Sequence, residues 1–448
     1  MRYLVGLLVA TVGLWCLPTP AADLPLLFWD AADIADPFGT IRFGAHPLEN
    51  EGRAVGYPDM QYGCETPGPD GTTRLYGWRM QNWADAENRV IQVVRCTTED
   101  GRRFSKEEVV FEFKRSQWQG FANLVYRPTD GAVFLFSWAE WPGKLHVFKS
   151  ATGDDWELIS DDAYQGHAAS CFFWHAPTKQ FVVIQTIVRP YPKRYPDNIG
   201  ELRRVLSFLR SDDAVTWEKF SPDFLQGAEL WTPDERDPAD LEFYRVVLFP
   251  LQGRYALLLN DYMPPPSEAN SRRALTKHGP PFMTEWAISR DGLNWARDFR
   301  ETNAFEEQFW LALQGPLIRE GRLRFYKPDG LIASLPEDRV FYATCRANGE
   351  FSTPPFTMPA DGLSLNADVR YRPAEGESGQ AYVMAELVDG DGKTIEGFER
   401  QACLFENVDG HALPMRWGAK DGGSLAGKSV RLRFFLRDAK VYGVCGAE

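Results

Sequence analysis

The chain has 448 residues, 44% hydrophobic and 14% aromatic, a composition that excludes a disordered or collagen-like protein. Its net charge of −13, from 62 acidic and 49 basic residues, offers no basic surface to a phosphate backbone, so nucleic acid is not an expected partner. With only six His, a multi-His metal centre is disfavoured. No cofactor is expected, and calcium, which takes oxygen ligands, stays open without being indicated.

Taken in chain order, the first element is a targeting segment. Arg2 precedes an apolar run over 4–17, and Pro18, Pro20, Ala21 and Ala22 follow. This reads as a signal peptide over 1–22, cleaved after Ala21 or Ala22; an uncleaved N-terminal anchor is the alternative. The run is shorter than the roughly 20 residues of a membrane span. The mature chain is therefore expected to be exported, periplasmic or extracellular, with no membrane span. Cys64, Cys96, Cys171, Cys345, Cys403 and Cys445 remain. Their spacing selects no disulfide pairing, and most read as small buried hydrophobes.

A repeat organises the next three quarters. Residues 98–104, 150–156, 211–217 and 289–295 share Ser or Thr, usually Asp then Gly, and a closing aromatic. Each follows a β-branched or alternating run. The hydroxyl and carboxylate can bond local N–H groups, Gly accepts positive φ, and the aromatic packs the turn onto its sheet. Two strand-like runs precede each turn: 60–66 and 73–80, 122–127 and 132–138, 168–175 and 180–188, 243–250 and 254–260. A fifth unit is expected from 309–318, 322–327 and 339–346. Repeated four-stranded units that cannot bury both faces alone predict a β-propeller.

Lettering each blade's strands A to D outward from the axis, the repeated turn joins C to D. The B–C connections, over 81–89, 139–143, 189–203 and 261–282, then gather at the other end with the starts of the A strands. Long loops at one end of a rigid scaffold are the expected place for a site. Beyond Pro354-Pro355, short alternating strands with Asp-Gly turns predict a β-sandwich. The Asp389-Gly-Asp-Gly392 stretch reads as a hairpin turn, because no Glu follows at the calcium-loop spacing. The fold class is thus all-β, a five-bladed propeller over 23–355 followed by a C-terminal sandwich over 356–448.

The layout resembles the five-bladed propeller glycosidases, the superfamily of glycoside hydrolase families 32, 43, 62, 68 and 130. More closely it is similar to secreted bacterial family-32-like proteins. The residues carrying that likeness are Leu27-Phe28-Trp29-Asp30, the block from Arg203-Arg204-Val205 to Trp217, and Asp240-x-Glu242-Phe243-Tyr244. Phe249-Pro250, Gly253-Arg254-Tyr255 and the closing run from Ser424 to Tyr442 complete the set. The resemblance implies a glycosidase acting on carbohydrate. The chain lacks the Trp-Met-Asn-Asp-Pro-Asn and Glu-Cys motifs of the fructan-cleaving members, so no catalytic residue transfers from them.

Glycoside hydrolysis commonly uses one protonated and one ionised carboxyl group. Asp240 and Glu242, two apart, would share a strand face, and like charges held close would raise one pKa. Glu242 is the expected acid, with Asp30 or Asp59 as base; alternatively, Asp240 caps a loop and Glu242 pairs with an Arg such as Arg245. Glu65, Asn123, Trp138, Glu140, Trp141, His167, Asp261 and Tyr262 are the expected substrate-binding residues. A non-catalytic carbohydrate-binding propeller, or an adhesion module, are the rival readings. No Gly-x-Ser-x-Gly elbow or His-Glu-x-x-His occurs, and helical periodicity is scarce.

Overall fold

The computed structural model describes residues 24–68, 71–82, 89–115, 122–139, 143–164, 166, 169–197, 199–263, 282–299, 304, 315–327, 329–372 and 379–447. They divide into two compact units, one of Met1–Arg42 with Ala343–Glu448 and one of Phe43–Tyr342. Among the described residues every regular element is a β-strand or a three-residue 3-10 turn.

Phe43–Tyr342 is a five-bladed propeller, each blade an antiparallel sheet. Blade one is Gln61–Pro67, Thr73–Gln81, Arg89–Thr97 and Glu108–Arg115. Blade two is Ala122–Arg127, Ala132–Ala139, Lys144–Ser150 and Trp156–Ser160. Blade three is Ser170–His175, Gln180–Pro190, Leu202–Ser211 and Glu218–Phe220. Blade four has three strands, Glu242–Leu251, Arg254–Tyr262 and Phe282–Ser289, with a lone bridge from Ile288 to Ala296 on its outer edge. The B–C connections fall where the sequence places them, and with them one end of every described blade.

Blade five departs from expectation. Its strands are Leu317–Arg319, Arg322–Tyr326 and Leu331–Pro336, so its third strand ends before 339–346 begins. The fourth comes from the N-terminal side, Glu49–Arg53, which pairs with Leu331–Pro336 and closes the ring. Glu51 fastens that closure, 2.6 Å from Arg322 Nε and 2.8 Å from Arg324 Nε. Burial alone would raise the Glu51 pKa, but hydrogen bonds from Arg324 and Ser334 and the Arg charges bring it below its ordinary value. A lowered carboxyl pKa contributes stability above the unfolded value, about 4.3, and loses it as pH falls through the folded one. Glu51→Gln is expected to cost on the order of 2 kcal/mol at neutral pH and to flatten the acid limb of the stability profile, checked by urea unfolding between pH 3 and 7.

The repeated turns are built as the sequence predicts. Hydroxyls of Thr98, Ser150, Ser211 and Ser289 accept the N–H three residues on at 2.8–2.9 Å. Asp100, Asp213 and Asp291 accept from the N–H groups two and three residues on. In the second turn Asp155 takes that part, accepting from Ser150 and Thr152. The fourth residue has positive φ in all four, 89° at Gly153 and 69° at Ala214. A Cβ on Gly153 would lie 2.0 Å from the Tyr76 hydroxyl. Gly153→Ala is therefore expected to cost more than about 2 kcal/mol, whereas Ala214→Gly, which relieves the left-handed strain, should lie within about 1 kcal/mol of the parent. Thermal denaturation of the two variants checks the contrast.

The other unit gathers both ends of the chain. One of its sheets contains Leu26–Leu27, Leu363–Asp368, Asp409–Pro414 and Lys440–Gly446, joined by 343–344. The second contains Ala35–Phe38, Gly349–Ser352, Phe356–Thr357, Tyr382–Val388, Leu404–Glu406 and Ser429–Arg437. Phe28 meets Phe351 and Phe434 edge-on at 5.2 and 5.7 Å in its core. The 24–42 segment, expected within the propeller, thus pairs with the C-terminal strands instead. Asp389 Oδ1 accepts from the N–H groups of Asp391 and Lys393, a plain turn.

A Gly-x-x-x-x-Gly-Lys-Ser stretch stands at 422–429. It is a 3-10 turn, Gly423–Leu425, that runs into the strand Ser429–Arg437. A phosphate-cradling loop opens a helix; this one does not. Cys64, Cys96, Cys171, Cys345 and Cys403 are buried free thiols, and Cys445 is exposed. No helix among the described residues is long and apolar enough to cross a membrane.

Candidate functional site

The first strands of the blades ring the axis. Tyr62 and Gly63, Asn123, Cys171, Arg245 and Gly315, one contribution from each blade in turn, line a cavity of about 60 Å3 there. Because all five strands start at the B–C end, the charged residues at their starts and on the neighbouring B–C connections are the ones a ligand at that end would meet.

Two buried charge clusters lie at this end, both where blade three meets blade four. The first contains Glu242, the first residue of the blade-four A strand and 0% exposed. Lys193 Nζ, itself fully buried, contacts its Oε1. Arg204 Nη1 lies 2.6 Å from its Oε2, and the Arg204 backbone N–H donates to the same oxygen. Asp197 completes the group, 2.9 Å from Lys193 and 3.1 Å from Arg204. Burial would raise the Asp197 pKa, but the Ile199 N–H and Lys193 hold it below the ordinary value. Tyr262, across the sheet from Glu242, bonds Asp197; burial and then the Asp197 charge push its pKa up.

This cluster fastens the blade-three B–C connection to the entry of blade four. Along the same seam the Tyr191 hydroxyl donates to Ala239 O, the Arg194 N–H to Asp240 Oδ1, and Arg203 Nε to Leu241 O. Asp240 lies outside the strand, which begins at Glu242, and accepts from the Arg194 N–H on the blade-three connection. The expected acid is here an ion-pair residue, paired with Lys193 and Arg204 rather than Arg245.

The second cluster is Asp261, Glu285, Arg297 and Asp237. Asp261, 1% exposed, is the last residue but one of the blade-four B strand, and Glu285 stands on the neighbouring C strand. Arg297 Nε contacts Glu285, and its two Nη groups clamp Asp237 at 2.8 and 3.0 Å. The Arg297 guanidinium lies 4.8 Å from the Phe243 ring centre. Three carboxyl groups thus surround one cation. Burial, then the Glu285 charge, push the Asp261 pKa well above the carboxylate range, with Arg297 opposing, and Asp261 hydrogen-bonds Glu285. Asp261 is thus a buried carboxyl group whose surroundings favour its protonated form.

The remaining expected residues are spread out. Asp59 is exposed two residues ahead of the blade-one A strand, with φ 46°. Asp30 belongs to the other unit, where it caps the 3-10 turn Ala31–Asp33 in a reciprocal box with Asp33. Glu65 sits toward the opposite, A–B-turn end and holds Arg319 of blade five in two bonds of 3.1 and 2.8 Å. Asn123 donates to Ser170 O, tying blade two to blade three. Trp138 is 0% exposed and packs edge-on against Tyr164. Glu140, Trp141 and His167 lie outside the described residues.

Sequence reading missed Glu285, Asp237 and Arg297. An acid at the centre of the apolar run Thr284-Glu285-Trp286-Ala287 was a visible signal, since an inward-facing Glu needs a partner. So was Arg236-Asp237-Pro238, the Arg-Asp-Pro tripeptide found in fructan-cleaving glycosidases, here between blades three and four. Among the described residues no group of His, Cys, Asp and Glu is arranged to hold a metal ion.

No family model and no curated protein matches the chain. Solved structures do. A glycosyl hydrolase from Bacteroides ovatus is 14% identical, with a TM-score of 0.37, over 64% of this chain and 87% of its own. A family 117 glycoside hydrolase of the marine bacterium Zobellia galactanivorans is 12% identical, TM-score 0.34, over 68% and 90%. The Bombyx mori family 32 β-fructofuranosidase is 10% identical, TM-score 0.36, over 89% and 94%. The solved structures to which the chain is similar are thus glycoside hydrolases, families 32 and 117 among them.

Proposed function

We propose that the protein is an exported glycoside hydrolase acting on poly- or oligosaccharides at the B–C-loop end of its propeller. The observation that carries this reading is the placement of Asp261, a buried carboxyl group beside Glu285 and the Arg297–Asp237 pair, where burial pushes its pKa well above the ordinary value and favours the protonated form. In this reading Asp261 donates that proton to the leaving glycosidic oxygen. Burial, then the Glu285 charge, with Arg297 opposing, set its affinity for the proton. Asp59, exposed at the same end, supplies the second carboxylate, as base or nucleophile.

A non-catalytic carbohydrate-binding propeller is the second reading, and the near-complete burial of Asp261 favours it. Release of reducing ends from a panel of plant and algal polysaccharides, run beside retention on affinity gels of the same polymers, separates the two. Release supports the hydrolase. Retention without release supports the binding protein, and neither overturns both.

A further inference from the structure

Blade three carries a second charge arrangement at its B–C end, apart from the buried ion pairs. Arg189 and Arg203 stand directly opposite each other on its B and C strands, so both side chains leave the same face of the sheet. Like charges in that position repel. Neither arginine is in an ion pair among the described residues. Arg189 is exposed, and its Nη1 donates to the adjacent Val188 O at 2.9 Å. Arg203 Nε donates to Leu241 O at 2.7 Å, and its guanidinium lies 4.4 Å from the Tyr191 ring centre. Tyr191 is held in turn through its hydroxyl by Ala239 O. One guanidinium is therefore fixed in place with the backbone using one of its five donors.

Two acids stand on the same connection. Asp197 is committed to Lys193 and Arg204, and Glu201 is in no ion pair among the described residues. Arg194 is exposed there and adds a third cation. This local excess of positive charge runs against the net charge of −13 for the whole chain. An anion between Arg189 and Arg203 would replace their repulsion by two charge-assisted pairs, and the planar fork of arginine suits oxyanions.

We propose that Arg189 and Arg203 form a subsite for the anionic substituent of an acidic sugar, a uronate carboxylate or a sulfate ester. The inference rests on the carbohydrate reading of the B–C end and deepens it: the polysaccharide is acidic rather than neutral.

The test measures retention of the full chain on affinity gels of two matched pairs of polymers, with reducing-end release alongside. Polygalacturonate is paired with its methyl ester, and a carrageenan with its desulfated form. The expected result is tighter binding of the charged member in at least one pair, by about 10-fold. The pair affected identifies carboxylate or sulfate. Arg189→Gln should remove the preference. Arg210→Gln, which deletes the same charge near the C–D turn, should keep it. A preference that survives Arg189→Gln, or that Arg210→Gln removes equally, overturns the subsite. Equal handling of charged and neutral members also overturns it, while leaving the carbohydrate reading intact. No retention and no release on any polymer overturns that reading and the subsite together.

Discussion

Glu242→Gln is expected to lower stability by about 3–5 kcal/mol, the largest single-residue effect in the propeller. The amide keeps the shape of the side chain but removes the charge between Lys193 and Arg204. Both cations are buried, and of the two carboxylates that the ion pairs place beside them Asp197 would remain. A buried cation that loses its partner suffers most of its desolvation cost uncompensated, whereas removing both partners together leaves nothing to compensate. The double variant Glu242→Gln/Lys193→Met should therefore be less destabilised than the sum of the two single variants, by more than about 1 kcal/mol. Chemical denaturation of the four proteins in a double-mutant cycle reads this directly. The single variant should also loosen the 191–200 connection, which hydrogen exchange at Arg194 and Ile199 would report.

Asp261→Asn has the opposite expected signature, a change that grows with pH. A carboxyl group whose folded pKa is raised holds a proton in the folded state that the unfolded chain gives up. Its contribution is fully present below the unfolded value, near 3.9, and is lost as pH rises through the folded value. The amide mimics the protonated acid, can donate to Glu285, and carries no such dependence. Relative to the parent, Asp261→Asn should gain stability as pH rises above about 4, by up to roughly 1.4 kcal/mol per pH unit, and then level off. Urea midpoints from pH 4 to 9 would trace the curve, and its plateau would locate the folded pKa of the pair. A flat difference would mean that Asp261 is ionised like any surface carboxylate.

How much of this is legible in the sequence depends on how local the physics is. The Ser-x-Asp turns are legible because each hydrogen bond lies within five residues of its partner, and the four copies fix the blade register and the positions of the B–C connections. The closing strand Glu49–Arg53 is not, because its partner Leu331–Pro336 lies at the far end of the propeller and its own run, Glu-Asn-Glu-Gly-Arg, has no apolar alternation. The same limit governs the site. Asp240 and Glu242 look like a coupled pair at a spacing of two, but the strand begins only at Glu242. The groups that pair with it, Lys193 and Arg204, come from a different blade. Asp30 fails for a related reason: the Phe28-Trp29-Asp30 motif is real, but its place is in the other unit, as a local cap. Asp261 stood among the expected residues as a substrate-binding side chain. Its neighbour Glu285 is brought beside it only by the pairing of two adjacent strands.

The most direct test of the proposed chemistry is the turnover of Asp261→Asn against the parent on whichever polysaccharide releases reducing ends. Near-UV circular dichroism would establish that both are folded. If Asp261 donates the proton, turnover falls by about 100-fold or more with native structure retained. Parent-level turnover in the folded variant would contradict the account and move the acid away from the Asp261–Glu285 pair.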